Sequence, residues 1–297
     1  GYTGRKRGEL VRTRSVLQQA HTREWLDTRG APGNGTPQAD LAHALEALRR
    51  YAHAHALDPS TLLVRLDGLY GYSWVLRGFE QAGVGFLARS AHYALLDRYL
   101  LLETLSRDAH ATYTPNAGGP SSELFDLPAF PWTHDDGSEQ PVRLLVLRRR
   151  LARGERPAVG KVRGDFVYEL FVTDRSVASL RATDVLGLYF ARAGAENALA
   201  HEDQEIDADR CCSNHGPGQE LWQLLSQWVS NVRLQLGHAA NDGPPRVIEW
   251  AAALPTEEQA APAEASRGQV CEASGRGKGK YGPEAFTWCG PEALRCP

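Results

Sequence analysis

Tyr189, Arg192 and Glu196 stand at i, i+3 and i+7 in the stretch LYFARAGAENALAHEDQE, residues 188–205. On a helix turning by about 100° per residue, the three fall within roughly 60° of one another on one face. A carboxylate so placed can hold a hard divalent cation, and a phenol and a guanidinium beside it can hold a phosphate. Asp67 is a second acid with a marked position. It follows TLLVRL, residues 61–66, a short apolar run of the kind that forms a buried strand. Acids at the carboxyl ends of central strands are where open α/β sheets place their chemistry. Arg89 directly follows a second such run, Val84 to Ala88. Each feature alone also fits a plainer role: an amphipathic helix with surface polars, or an aspartate that starts a turn.

The elements that would position these groups can be read in order. Residues 1–30 carry Arg5, Lys6, Arg7, Arg12, Arg14, Arg23 and Arg29 against Glu9, Glu24 and Asp27, a local charge of +4. Leu10 to His21 reads as one or two strands. Such basic strands suit a phosphate backbone or, equally, a charge-guarded sheet edge. Thr36 and Pro37 open a helix that Asp58-Pro59 closes, with Leu41, Ala44, Leu45 and Leu48 as its apolar stripe. A helix over Tyr70–Gln81 separates the two buried runs. Tyr93–Ser106 reads as a short helical piece, Arg107–Gln140 as irregular and polar, and Val142–Arg148 and Asp165–Thr173 as strands, with a basic turn between them. Residues 90–180 thus form a β-rich insertion. The acids Glu202, Asp203, Glu205, Asp207 and Asp209 read as a solvated loop. Gln219–Leu236 is amphipathic, with Leu221, Leu224, Leu225, Trp228, Val232 and Leu236 on its stripe. Trp222 and Trp228 are read as core. From Ala239 the chain turns to Pro, Ala, Glu and Gly, a tail expected to take no share in the core.

Bulk properties exclude more than they select. A chain of 297 residues with 42% hydrophobic content can bury a real core. Its net charge of −3 gives no global nucleic-acid signature, so any basic surface is local. No apolar run is long enough to span a membrane, and the N-terminus lacks the apolar segment of a signal peptide. Five cysteines at no disulfide-like spacing fit a reducing cytoplasm. Cys212 and His215 are at most half a zinc site. There is no phosphate loop, no G-x-S-x-G and no H-E-x-x-H.

The Y-(2)-R-(3)-E spacing of Tyr189, Arg192 and Glu196, the acid after LVRL, and the β-rich run between them together resemble the DDE-type transposases of bacterial insertion sequences. The likeness runs from the first residue to about His238. It implies an α/β fold, a ribonuclease-H-like mixed sheet flanked by helices. Residues 1–89 would form the first part of the catalytic domain, 90–180 the β insertion, 181–238 the closing helices and 239–297 a low-complexity tail. It implies that Asp67 and Glu196 are catalytic and bind Mg²⁺ or Mn²⁺. Tyr189 and Arg192 would hold the DNA end, and Arg89, Arg5, Lys6 and Arg7 are further candidates for contact. The expected partner is double-stranded DNA, as element ends and target, with no membrane. A homodimer on DNA is left open. The chain departs from the family at two places. The pattern continues with a lysine seven residues after the glutamate, where this chain has Asp203. The family's first aspartate lies on a strand before the basic hairpin, where this chain begins. With no methionine in the sequence, the expectation is a fragment lacking that aspartate. The alternatives are a catalytically inactive, DNA-binding remnant and an unrelated α/β enzyme.

Overall fold

A computed structural model describes residues 11–32, 37–115, 120–192, 198–199, 202, 212–213, 215–240 and 285–295. The chain is a mixed α/β protein that divides into two compact units. One is Gly1–Val64 with Ala82–Val84 and Arg192–Pro297, and the other is Arg65–Gln81 with Gly85–Ala191. No helix among the described residues is long and apolar enough to cross a membrane.

The first unit begins with an antiparallel hairpin, β1 (Val11–Gln19) and β2 (Trp25–Pro32). The Gln19 side-chain oxygen accepts from the Thr22 amide at 2.8 Å. Arg23 adopts a positive φ of 63°, which lets the chain reverse within the turn. Helix α1 (Pro37–Ala54) buries Leu41, Ala44, Leu45, Leu48 and Ala52, the stripe that its periodicity predicts. The Asp58 carboxylate accepts from the Ser60 amide and starts a single 3-10 turn before β3 (Leu63–Leu66), every residue of which is buried.

Two expectations for this unit are overturned. The tail does share in the sheet. Ala285–Arg295 forms β10, antiparallel to β1 in a register from Val11↔Arg295 to Gln19↔Phe286. The strand order is β2-β1-β10-β3. AFTWC, residues 285–289, has ordinary strand character, and Gly290-Pro291 fall where the register shifts between Arg14 and Val16. Second, Glu202 is not solvated. Its carboxylate meets Arg14 Nη2 at 2.8 Å, both side chains only 1% exposed. The Arg14 guanidinium also lies 5.9 Å from the Trp25 ring centre. An acid in a charged run still buries when a buried cation needs it.

The long helix α5 (Gly216–Ala240) packs on β2 with the opposite face from the one expected. Gln219, Gln223, Ser226 and Gln227 are buried, whereas Leu221, Leu224, Leu225, Val229, Leu236 and Trp228, which is 66% exposed, face outward. The contact with the hairpin is polar, made by Asn231 and by Gln235, whose amide donates to Glu24 at 2.9 Å. Asn231 takes the place of a strand partner. Its side-chain amide bonds both the backbone N–H and the C=O of Trp25 at 2.8 Å, as a neighbouring strand would.

In the second unit α2 (Ser73–Ala82) leads to β4 (Gly85–Ser90), and α3 (Tyr99–Leu105) follows. An antiparallel sheet then builds outward in the order β4-β9-β7-β6-β5, with β8 (Lys161–Arg163) on β9 (Phe166–Thr173). β7 spans Glu139–Arg150. The stretch expected to be irregular holds β5 (Ala111–Tyr113) and the twelve-residue β6 (Ser122–Thr133). Pro128 and Pro131 argue against a strand. β6 accommodates Pro128 at a shift of register between Leu127 and Phe130.

The insertion is locked by Arg143. Buried on β7, it gives Nε and Nη2 to the two Asp126 oxygens at 2.9 and 2.8 Å, and Nη1 to the Leu180 carbonyl at 2.6 Å. Arg143→Met strands the Asp126 carboxylate and should cost about 3–5 kcal/mol in urea unfolding. Adding Asp126→Asn should recover part of that loss. A single-variant loss below about 1 kcal/mol would show that the pair carries little weight.

Candidate functional site

Asp67 is placed by the end of β3. Its backbone is extended, and its carboxylate accepts from the Gly68 amide at 2.6 Å, capping a 3-10 turn over Gly68–Tyr70. Space requires a glycine at position 71, and Gly68 lies close against the Arg89 side chain. A Cβ on Gly71 would lie 2.4 Å from the Arg89 carbonyl oxygen and the Ser90 Cα. A Cβ on Gly68 would lie 3.2 Å from two nitrogens of the Arg89 guanidinium. The buried Ser90 hydroxyl donates to the Gly71 carbonyl at 2.8 Å and closes the contact. The end of β4 is thus pressed against the turn after β3, and Arg89 lies on the residue next to Asp67.

Arg89 is the hub of the site. Its Nη1 is 3.6 Å from Glu169 Oε2, with both side chains about a quarter exposed, at 25% and 23%. Its Cζ lies 5.9 Å from the centre of the Tyr189 ring, on α4 (Ala182–Phe190). Burial pushes the Glu169 carboxyl above its ordinary range, opposed by Arg89 and Arg149. The Tyr93 phenol is likewise raised by burial, with Arg89 lowering it and Glu169 raising it. Four elements therefore bring carboxylate, guanidinium and phenol groups to one place: the turn after β3, β4, β9 and α4.

β3 and α4 are tied together at this point. Arg65, buried two residues before Asp67, donates from Nη1 to the Leu188 carbonyl at 3.0 Å, across 123 positions of sequence. The last turn of α4 is therefore held beside the strand that ends at Asp67.

The continuous helix expected through Tyr189 and Arg192 is interrupted. α4 ends at Phe190, and Ala191 is its C-cap. Arg192 is half-buried in the turn beyond, so the i, i+3 relation on a continuous helix does not hold. Tyr189 is 3% exposed. Its ring meets Phe171 edge-on at 4.9 Å and Phe190 at 5.7 Å, so it belongs to the core and borders the site through Arg89. Glu196 lies outside the described residues, as do Arg5, Lys6 and Arg7.

Sequence reading passed over Glu169 and Arg65. Both are single charges within apolar strand runs, FVYELFVT and TLLVRL. Such a charge needs a partner when it is buried, which was the available signal. Among the described residues, no three His, Cys, Asp or Glu side chains are grouped so as to hold a metal ion. The Asp67 carboxylate is an oxygen donor of the kind hard divalent ions take. The chain matches no known family model and no curated protein.

Proposed function

We propose that this chain is part of the catalytic domain of a cytoplasmic DDE-type DNA transposase with a ribonuclease-H-like core. It would act on the ends of a bacterial insertion sequence. The observation that supports this most is the Arg65–Leu188 hydrogen bond. It sets the strand ending in Asp67 against the helix that precedes Arg192 and Glu196. Asp67 and Glu196 would hold Mg²⁺ or Mn²⁺. When bound, such ions stabilise the charge that develops on phosphoryl and leaving oxygens. Arg89 would hold a DNA phosphate beside Asp67, since a guanidinium matches phosphate geometry and Glu169 neutralises it only in part. Arg192 and the basic segment at Arg5, Lys6 and Arg7 would extend the same contact, and Tyr189 would support Arg89 from beneath.

Duplex binding tests this reading, followed by fluorescence anisotropy over a salt series. The chain should bind DNA with an affinity that falls steeply as salt rises. Arg89→Ala should weaken binding and lower the log–log salt slope by about one, as for the loss of a single phosphate contact. Its melting temperature should fall somewhat, because the half-buried Glu169 loses its cation, so binding is compared well below that temperature. An unchanged affinity and slope would remove Arg89 from the interface. If DNA binding persists while Asp67 plays no part with metal, the runner-up is favoured, a non-catalytic DNA-binding relative.

A further inference from the structure

We infer that the recess between α3 and β6 is a binding site for the N-terminus of a peptide, one that begins with an apolar residue and carries a free α-amino group. The recess lies wholly within the second unit and shares no residue with the site at Asp67, so it stands apart from any activity on DNA.

The recess has a local cause. β6 slips in its ladder with β7 between Leu127 and Phe130. Pro128 has no amide hydrogen to give to that ladder, and a slip of this kind bends a strand away from its neighbour. Pro128 and Ala129 stand exposed at the slip, while Leu127 and Phe130 stay buried on either side of it. Leu100 of α3 completes the apolar lining. The space has a volume of about 310 Å³, at the small end of ligand sites, which run from about 300 to 1,000 Å³. One apolar side chain with its backbone fits it, and a cofactor of dinucleotide size does not.

The polar groups select what enters. Five polar side chains also line the recess, and three of them are already engaged. Both Asp126 oxygens are held by Arg143. Arg107 Nη2 donates to Glu103, one turn earlier. The Thr104 hydroxyl gives its hydrogen to the Leu100 carbonyl at 2.8 Å. The other two keep free capacity. The Asp108 carboxylate is exposed and pairs with no cation among the described residues. The His110 ring is fixed by the Asp126 amide, which donates to Nδ1 at 3.2 Å. A ring nitrogen that accepts carries no hydrogen, so the neutral imidazole holds its proton at Nε2 and offers a donor.

Asp108 and His110 lie two residues apart on the segment that joins α3 to β5. Together they require a cationic donor and an acceptor close to one another. A peptide N-terminus supplies both and the hydrocarbon as well. Its ammonium meets Asp108, its first carbonyl oxygen accepts from His110 Nε2, and its first side chain lies against Leu100, Leu127 and Phe130. A free amino acid matches less well. Its own carboxylate would stand beside Asp108, and Arg107, the cation that lines the recess, is already given to Glu103.

Titration of the whole chain with leucyl-glycinamide, followed by nuclear magnetic resonance, tests this assignment. The peptide should shift the amide signals of Asp126, Ala129 and Phe130 and reach saturation. N-acetyl-leucyl-glycinamide, which lacks the ammonium, and free leucine, which adds a carboxylate, should each bind at least about tenfold more weakly, as for the loss of a hydrogen bond to a charged group. Glycyl-glycinamide, which lacks the apolar side chain, should not saturate over the same range. Asp108→Asn should weaken leucyl-glycinamide by a similar factor and abolish the difference between the free and acetylated peptides. The Asp108 side chain is exposed and unpaired, so the melting of that variant should match the parent. No saturable shift at these signals, equal binding of the acetylated peptide or of free leucine, or an Asp108→Asn variant that binds like the parent would each overturn the assignment.

Discussion

A chain ending at residue 284 should fail to give a folded first unit. The expected outcome is insoluble expression, or a soluble product without a cooperative melt. β10 is an interior strand in the order β2-β1-β10-β3, and its removal opens β1 and β3 together. Eight residue pairs join it to β1 alone. At about 0.5–1.5 kcal/mol of net stabilisation for each hydrogen bond, one bond per pair would supply about 4–12 kcal/mol, comparable with the whole stability of a domain, about 5–15 kcal/mol. The open edges would also present unpaired amides and carbonyls to other chains. A peptide covering residues 285–297, supplied in trans, should restore solubility by occupying the same ladder. A truncated protein that melts like the parent would show that the sheet does not depend on β10.

The second large effect is expected at Asp67. Asp67→Asn keeps an oxygen that can accept from the Gly68 amide, so the 3-10 turn and the fold should persist. It removes the negative charge that a hard cation requires. Affinity for Mn²⁺, measured by calorimetry, should fall by more than about tenfold, the lower range found even for residues that only orient a metal ligand. Asp67→Ala should show the same loss of metal. It should also cost about 1 kcal/mol of stability, because the turn loses its cap. Equal Mn²⁺ binding by parent and Asp67→Asn would take the aspartate out of any metal site.

The strands and helices with plain periodicity were legible from composition alone. β3, β4, β7 and β9 are short apolar runs, and α1 turns its Leu and Ala stripe inward. What could not be read was the outcome of competition between elements. The period of α5 reveals an apolar stripe but not which face meets the protein, which depends on contacts such as Asn231 with the Trp25 backbone. β6 was hidden by Pro128 and Pro131; Pro128 falls where the ladder shifts, and Pro131 pairs with Pro141. β10 was hidden by the composition of residues 239–284 before it and by its own Gly290-Pro291, which lie at a shift of register, although AFTWC suits a sheet. At the site, Asp67 and Arg89 were marked by their positions at the ends of buried runs. Their meeting at Gly68 depends on Gly71, whose role only three dimensions show. Tyr189 and Arg192 have helical spacing in sequence, yet α4 stops between them, because local periodicity does not say where a helix ends.

The central claim, that Asp67 and Glu196 share a divalent cation, is tested most directly by iron-mediated cleavage of the protein backbone. Fe²⁺ replaces Mg²⁺ at sites of hard oxygen ligands and, with ascorbate and peroxide, generates hydroxyl radicals that cut the chain near the ion. The account predicts two cuts, one close to residue 67 and one close to residue 196. Both should be suppressed by excess Mg²⁺ and both lost in Asp67→Asn. A cut near only one of these positions, or a pattern unchanged in Asp67→Asn, would contradict it.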